Sequence, residues 1–170
     1  LTGIPADDLQ AAAEAAQLSE KHAGKKGWLF TLKAPSYMPV LQYADNRELR
    51  EKLYIAYSQR ASEFGEPEWH NAPLITQILN RRAEEAHLLG YANYAELSLA
   101  SKMANSPQQI LKFLRELAKH ARLLADTALA ELREFACDQL AMSDLQSWDI
   151  SYASEKLRQQ RYAFSEQDVK

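Results

Sequence analysis

What most constrains the fold of this chain is where its glycines stop. All five lie at or before Gly90, so the last 80 of its 170 residues contain none. That second half is rich in Ala, Leu, Glu, Gln, Arg and Lys, which lose little side-chain freedom in a helix. The composition therefore predicts helix. Helix starts are written at Asp45 with Glu48, Asn93 with Glu96, and Ser106 with Pro107 and Gln109. Each places a capping side chain three residues before a Glu or Gln, the last with proline at the first helical position.

These marks place helices at Pro5–His22, Asn46–Ser62, Pro73–Leu89, Tyr94–Lys102, Pro107–Gln139 and Trp148–Tyr162, with boundaries good to about two to four residues. Gly90 closes the third as a left-handed cap. In the long helix Ile110, Leu114, Leu117, Ala121, Leu124, Ala128 and Leu132 recur at steps of four and three, one apolar stripe that needs a partner surface. Gly27–Leu32, "GWLFTL", reads as one short strand, bracketed by Gly27 and Pro35. The following "APSYMPVLQYA" carries two prolines and fits either a loop or a short helix. A lone strand leaves its ladder groups without partners, so it calls for pairing with a second copy or with a neighbour outside the chain. Ser165, Glu166, Gln167 and Asp168 spell a further helix start close to the last residue, which adds to the expectation of a fragment.

At 46% hydrophobic and 25% charged, the chain is long enough for a single helical region over 1–170, a fold mainly α with one strand. A net charge of −3 with the signs interspersed lacks the basic stripe that neutralises phosphates, so nucleic acid is not an expected partner. Cys137, the single cysteine, cannot form an internal disulfide and reads as a core or helix-face residue. With no apolar run near 18 residues and no hydrophobic signal segment, the sequence predicts a cytoplasmic protein with no membrane partner.

Reactive constellations are few. Glu84 and His87 stand at i, i+3, the Glu-x-x-His spacing of di-iron bundles, but only one such pair exists. Glu116 and His120 share a helix face at i, i+4 without further ligands, and both pairs read as solvated faces. His22 reads as a helix C-terminal cation and His70 as a loop residue. No Gly-rich phosphate loop, Cys-x-x-Cys, nucleophile elbow or His-Glu-x-x-His occurs. Catalytic and metal-binding residues are accordingly expected to be none, with no zinc held by these residues, and substrate-binding residues are unassigned. The eight tyrosines, Tyr37, Tyr43, Tyr54, Tyr57, Tyr91, Tyr94, Tyr152 and Tyr162, fit rings packed inward with hydroxyls at the rim, or a tyrosine-lined groove.

Pro35, Tyr37, Pro39 and Val40 with Asp45, Asn46 and Arg47; Arg60 and Ala61; Gly90, Tyr91, Asn93 and Tyr94; Lys102 and Met103; and Trp148, Asp149 and Tyr152 form an ordered series. In order and spacing it resembles the thimet-oligopeptidase family of zinc peptidases, in its oligopeptidase A branch, over nearly the whole chain. One departure is Ala153, where related sequences often carry a second tyrosine. The resemblance implies part of a mostly helical, two-lobed peptidase that cleaves short peptides in a deep channel. It implies that these residues wall the channel, and that the missing catalytic half carries the zinc motif His-Glu-x-x-His beyond Lys170. There two histidines and a glutamate would hold zinc while the motif glutamate takes the proton of the attacking water. From a different class, a stand-alone helical interaction domain fits composition and periodicity equally well.

Overall fold

The computed structural model describes residues 1–19 and 26–162. His22 and the helix start at Ser165–Asp168 lie outside these residues. The described helices are α1 (Ala6–Leu18), α2 (Ala34–Tyr43), α3 (Arg47–Ser58), α4 (Ala72–Leu88), α5 (Tyr94–Leu99), α6 (Pro107–Leu140) and α7 (Ile150–Tyr162), with 3₁₀ turns at Pro67–Trp69 and Ser147–Asp149. The chain divides into two compact units. One combines Leu1–Ser58 with the residues from Ala130 onward, and the other is Gln59–Leu129.

The first unit is organised by α2, the segment whose prolines left loop and helix both open. Pro35 sits in the first turn, where no intrahelical donor is required, and Pro39 inside the helix removes the N–H that would have bonded the carbonyl of Pro35. What holds the helix is its buried face. Tyr37, Val40, Leu41 and Ala44, spaced by three and four, are all buried. Burying Val40 completely contributes about 1.5–3 kcal/mol. Ile4, Val40 and Ala44 form one core with Leu9, Phe30, Leu49 and Leu53 packed against it. Leu132 and Ala136 of α6 and Ala153 of α7 form a second, covered by Leu140, Met142, Leu145, Ile150 and Leu157. Ala153 is fully buried there, so a tyrosine at this position would force the two helices apart.

The expected strand over Gly27–Leu32 is absent: no strand occurs among the described residues, and this stretch is irregular backbone with bends at Gly27 and Leu32, two of whose N–H groups find other acceptors. The N–H of Leu29 donates to the carbonyl of Ala12 in α1 at 2.9 Å, and that of Thr31 to the hydroxyl of Ser36 at 2.8 Å. With a helix carbonyl and a hydroxyl as acceptors, and Phe30 on the Ile4 core, the segment needs no strand partner.

The caps are mostly as written in the sequence. Asn93 accepts from the N–H of Glu96 at 3.1 Å, and Ser106 accepts from that of Gln109 at 3.2 Å. At the end of α4, Gly90 has φ +82°, Gly90 N–H bonds the carbonyl of His87, and Tyr91 N–H bonds that of Ala86, a Schellman closure. For α3 the cap is Asn46, which accepts from Leu49 N–H at 3.0 Å, and not Asp45, whose carboxylate is turned toward Tyr152. That helix stops at Ser58, short of the expected Ser62, because Ala61 takes a left-handed φ of +60° and the Ser62 hydroxyl bonds back to the carbonyl of Gln59.

The second unit is built differently. α4 and α5 pack together, with the Arg82 guanidinium 5.0 Å from the centre of the Tyr94 ring. Yet Ala86 is the one buried residue in the whole of Gln59–Leu129. Leu74, Ile75, Ile78 and Leu79 on α4 and Leu111, Phe113, Leu114, Leu117 and Leu124 on α6 are all exposed.

Candidate functional site

The closest concentration of charge lies in the first unit, where α3 meets the turn that starts α7. Arg47 and Arg50 are one helical turn apart on α3, and both reach the carboxylate of Asp149. Arg47 grips it with Nε and Nη2, at 3.0 Å and 2.7 Å from Oδ2, while Arg50 Nη2 donates to Oδ1 at 2.7 Å. The N–H of Gln146 adds a fourth donor at 3.1 Å. Arg50 and Asp149 are fully buried, whereas the side chain of Arg47 is 43% exposed. Arg50 also donates through Nη1 to the carbonyl of Ala44 at 2.7 Å, and its guanidinium lies 4.1 Å from the centre of the Tyr152 ring. The Tyr152 hydroxyl donates to Asp45 at 3.0 Å.

Burial alone would raise the Asp149 carboxyl, but hydrogen bonds from Arg47 and Arg50, the Gln146 N–H and the positive charge of Arg47 outweigh it and hold the group below the usual carboxylate range. The Arg47 guanidinium is pushed up by its hydrogen bond to Asp149. Burial, then the acceptor Asp45, raises the Tyr152 hydroxyl, against which Arg50 works. An anion stabilised in this way is a poor base, and with no exposed face it cannot reach a substrate. The cluster is a clamp between two parts of the chain about 100 residues apart, not a reactive centre.

Glu155 on α7 makes a second tie. It is buried, paired with Arg158, and accepts from Gln42 of α2 at 3.2 Å and Gln159 at 2.7 Å. Beside the clamp, Tyr37 stacks on Tyr57 with ring centres 4.5 Å apart, and Tyr54 meets Trp148 at 6.1 Å. Burial, then the neighbouring Tyr54 and Tyr57, raises the Tyr37 hydroxyl. Of the two tyrosine arrangements left open, Tyr37 and Tyr152 follow the inward one, while Tyr57 and Tyr162 are exposed.

The remaining polar candidates stay apart. Glu84 pairs with Arg81 at 2.8 Å, and His120 contacts the backbone carbonyl of Glu116, not its carboxylate. His87 and Cys137 are exposed on α4 and α6, and His70 is half-buried after the Pro67–Trp69 turn. Among the described residues no group of three or more His, Cys, Asp or Glu side chains could hold a metal ion, so no metal chemistry is derived from them. A small cleft of about 180 Å³ runs between Asp8, Ala11, Ala12 and Ala15 of α1 and Leu29, Phe30, Thr31, Pro35 and Ser36. It is apolar with Asp8 as its one carboxylate, and is below the roughly 300–1,000 Å³ of usual ligand pockets. No described helix is long and apolar enough to cross a membrane.

The clamp unites two stretches the sequence marks separately, Asp45–Arg47 and Trp148–Tyr152. Arg50, Gln42 and Glu155 carry no such mark: on an amphipathic helix they look like solvated positions, and only the tertiary contact buries them.

Residues 40–170 match the family model described as Peptidase family M3. The chain is 46% identical to oligopeptidase A of Salmonella typhimurium and to that of Escherichia coli, in each case over all of this chain and 25% of the relative. Over the whole chain it is 40% identical to the probable cytosolic oligopeptidase A of Arabidopsis thaliana, of which it covers 24%. It thus spans about a quarter of the length of the curated relatives it matches.

Proposed function

The chain belongs to peptidase family M3, and on that premise we propose that it is part of a cytosolic zinc-dependent oligopeptidase that hydrolyses short peptides. The observation carrying this reading is identity running through the entire chain to proteins named oligopeptidase A. These 170 residues contribute wall and scaffold to the substrate channel of a two-lobed enzyme, and the zinc and its ligands belong to the rest of the polypeptide. The Arg47–Asp149–Arg50 clamp fits that role, since it fixes α2, α3 and α7 against each other without presenting a reactive group. A stand-alone interaction domain is disfavoured by Gln59–Leu129, which lacks a core of its own.

The test is replacement. These residues substituted for the matching quarter of the E. coli relative should give a protein that cleaves a quenched-fluorescent short peptide and stops when a chelator is added. The 170-residue chain alone should not cleave it, with or without zinc. A well-folded but inert replacement protein, or zinc-dependent turnover by the short chain, refutes the reading.

A further inference from the structure

Gln59–Leu129 exposes faces that a folded protein normally covers. On α6, Ile110, Leu114, Leu117, Ala121, Leu124 and Ala128 follow steps of four and three, the spacing that fits knobs into the holes of a partner helix crossing at about 20°. Leu114, Leu117 and Leu124 on this stripe are at least half exposed, and so are Leu74, Ile75 and Leu79 on α4. With Ala86 as the unit's single buried residue, too little apolar surface leaves water to offset the entropy of ordering 59–129.

We infer that the apolar faces of α4 and of the first half of α6 are a docking surface for helices of the remaining polypeptide. That remainder is the three quarters of the relatives' length that this chain does not span. The inference rests on the family reading. A peptide substrate is a poor occupant, because a helix face offers side chains while its backbone groups are already bonded, leaving nothing to pair with an extended chain. A second copy competes badly, because segments on the same polypeptide meet at an effective concentration near millimolar.

The experiment measures thiol reactivity at the surface. Leu117→Cys and Ile78→Cys are labelled with a water-soluble maleimide in the 170-residue chain and in the replacement protein described above. Modification is read by the mass of the peptide carrying each position, and Val40→Cys, at a fully buried site of the first unit, reports that this unit of the short chain is folded. Both surface thiols should react freely in the short chain and at least ~10-fold more slowly in the long protein. Equal rates in the two overturn the inference. So does slow labelling already in the short chain, whether concentration-dependent, meaning a second copy covers the face, or independent, meaning the chain covers itself. An active, chelator-sensitive long protein with unprotected thiols sinks this inference alone, and a protected but inactive one sinks the peptidase reading alone.

Discussion

Asp149→Asn is the sharpest test of the clamp, because it removes one charge and almost no volume. Arg50 would remain fully buried with its second guanidinium nitrogen facing an amide in place of a carboxylate. Breaking a buried ion pair by removing one partner costs about 3–5 kcal/mol, since the surviving charge stays desolvated. Arg50 keeps its bonds to the carbonyls of Ala44 and Asp45, which places the expected loss near the lower end, about 3 kcal/mol. Arg47 is different. Its side chain is 43% exposed, so Arg47→Ala resembles the loss of a screened surface pair and should cost about 1 kcal/mol or less. Urea unfolding at pH 7 followed by tryptophan fluorescence suits the measurement, because Trp148 adjoins Asp149 in the chain and packs on Tyr54. A drop of about 3 kcal/mol is a large share of the roughly 5–15 kcal/mol that holds a domain together. A loss below about 1 kcal/mol for Asp149→Asn, or equal losses for Asp149→Asn and Arg47→Ala, would refute the assignment of the stability to the buried half of the clamp.

The same carboxylate sets an acid dependence. Its folded pKa is depressed, so its stabilisation is fully present above the ordinary carboxylate value near 3.9 and is lost as pH falls through the lower native value. The urea midpoint of the wild-type chain should fall more steeply below about pH 4 than that of Asp149→Asn, and parallel curves would contradict this. At the alkaline end, Tyr37 and Tyr152 have raised pKa values, so the stability they confer is present below pH ~10 and lost above it. Absorbance at 295 nm should show these two ionising late, and Tyr152→Phe should remove one late step. Ala141, just past α6, holds φ +54°, so Ala141→Gly should raise stability by up to ~1 kcal/mol, and a lowered urea midpoint would argue against strain at that residue.

Helix positions were legible in the sequence because local chemistry decides them. The glycine-free second half, the Ser106–Pro107–Gln109 start and the Gly90 stop place α6 and the end of α4 to within a residue or two. Two readings failed for a common reason: distant partners compete with local signals. Asp45 looks like a cap until the Tyr152 hydroxyl, 107 residues away, claims its carboxylate and leaves the capping to Asn46. Gly27–Leu32 has strand composition, yet the Ala12 carbonyl and the Ser36 hydroxyl take the N–H groups of Leu29 and Thr31 in an irregular segment. The clamp was not legible: Arg47 and Asp149 stand in the series that carries the family resemblance, but nothing in the sequence pairs them. Arg50 was not marked at all, because nothing local distinguishes an arginine that will be buried from one that stays in water.

The first unit is also discontinuous in the order of synthesis. Arg50 and its carboxylate are 99 residues apart, and at about 5–20 residues per second a ribosome takes roughly 5–20 s to make the stretch between them. Throughout that interval α2 and α3 exist without α7, and Arg50 has no counter-ion to follow it into the interior. The unit therefore cannot close vectorially from its N-terminus. The Ile4 core, drawn from residues 4–53, can form before α7 is made, but completion of the unit waits for Asp149 to clear the exit tunnel, and Arg50 stays without its buried counter-ion until then.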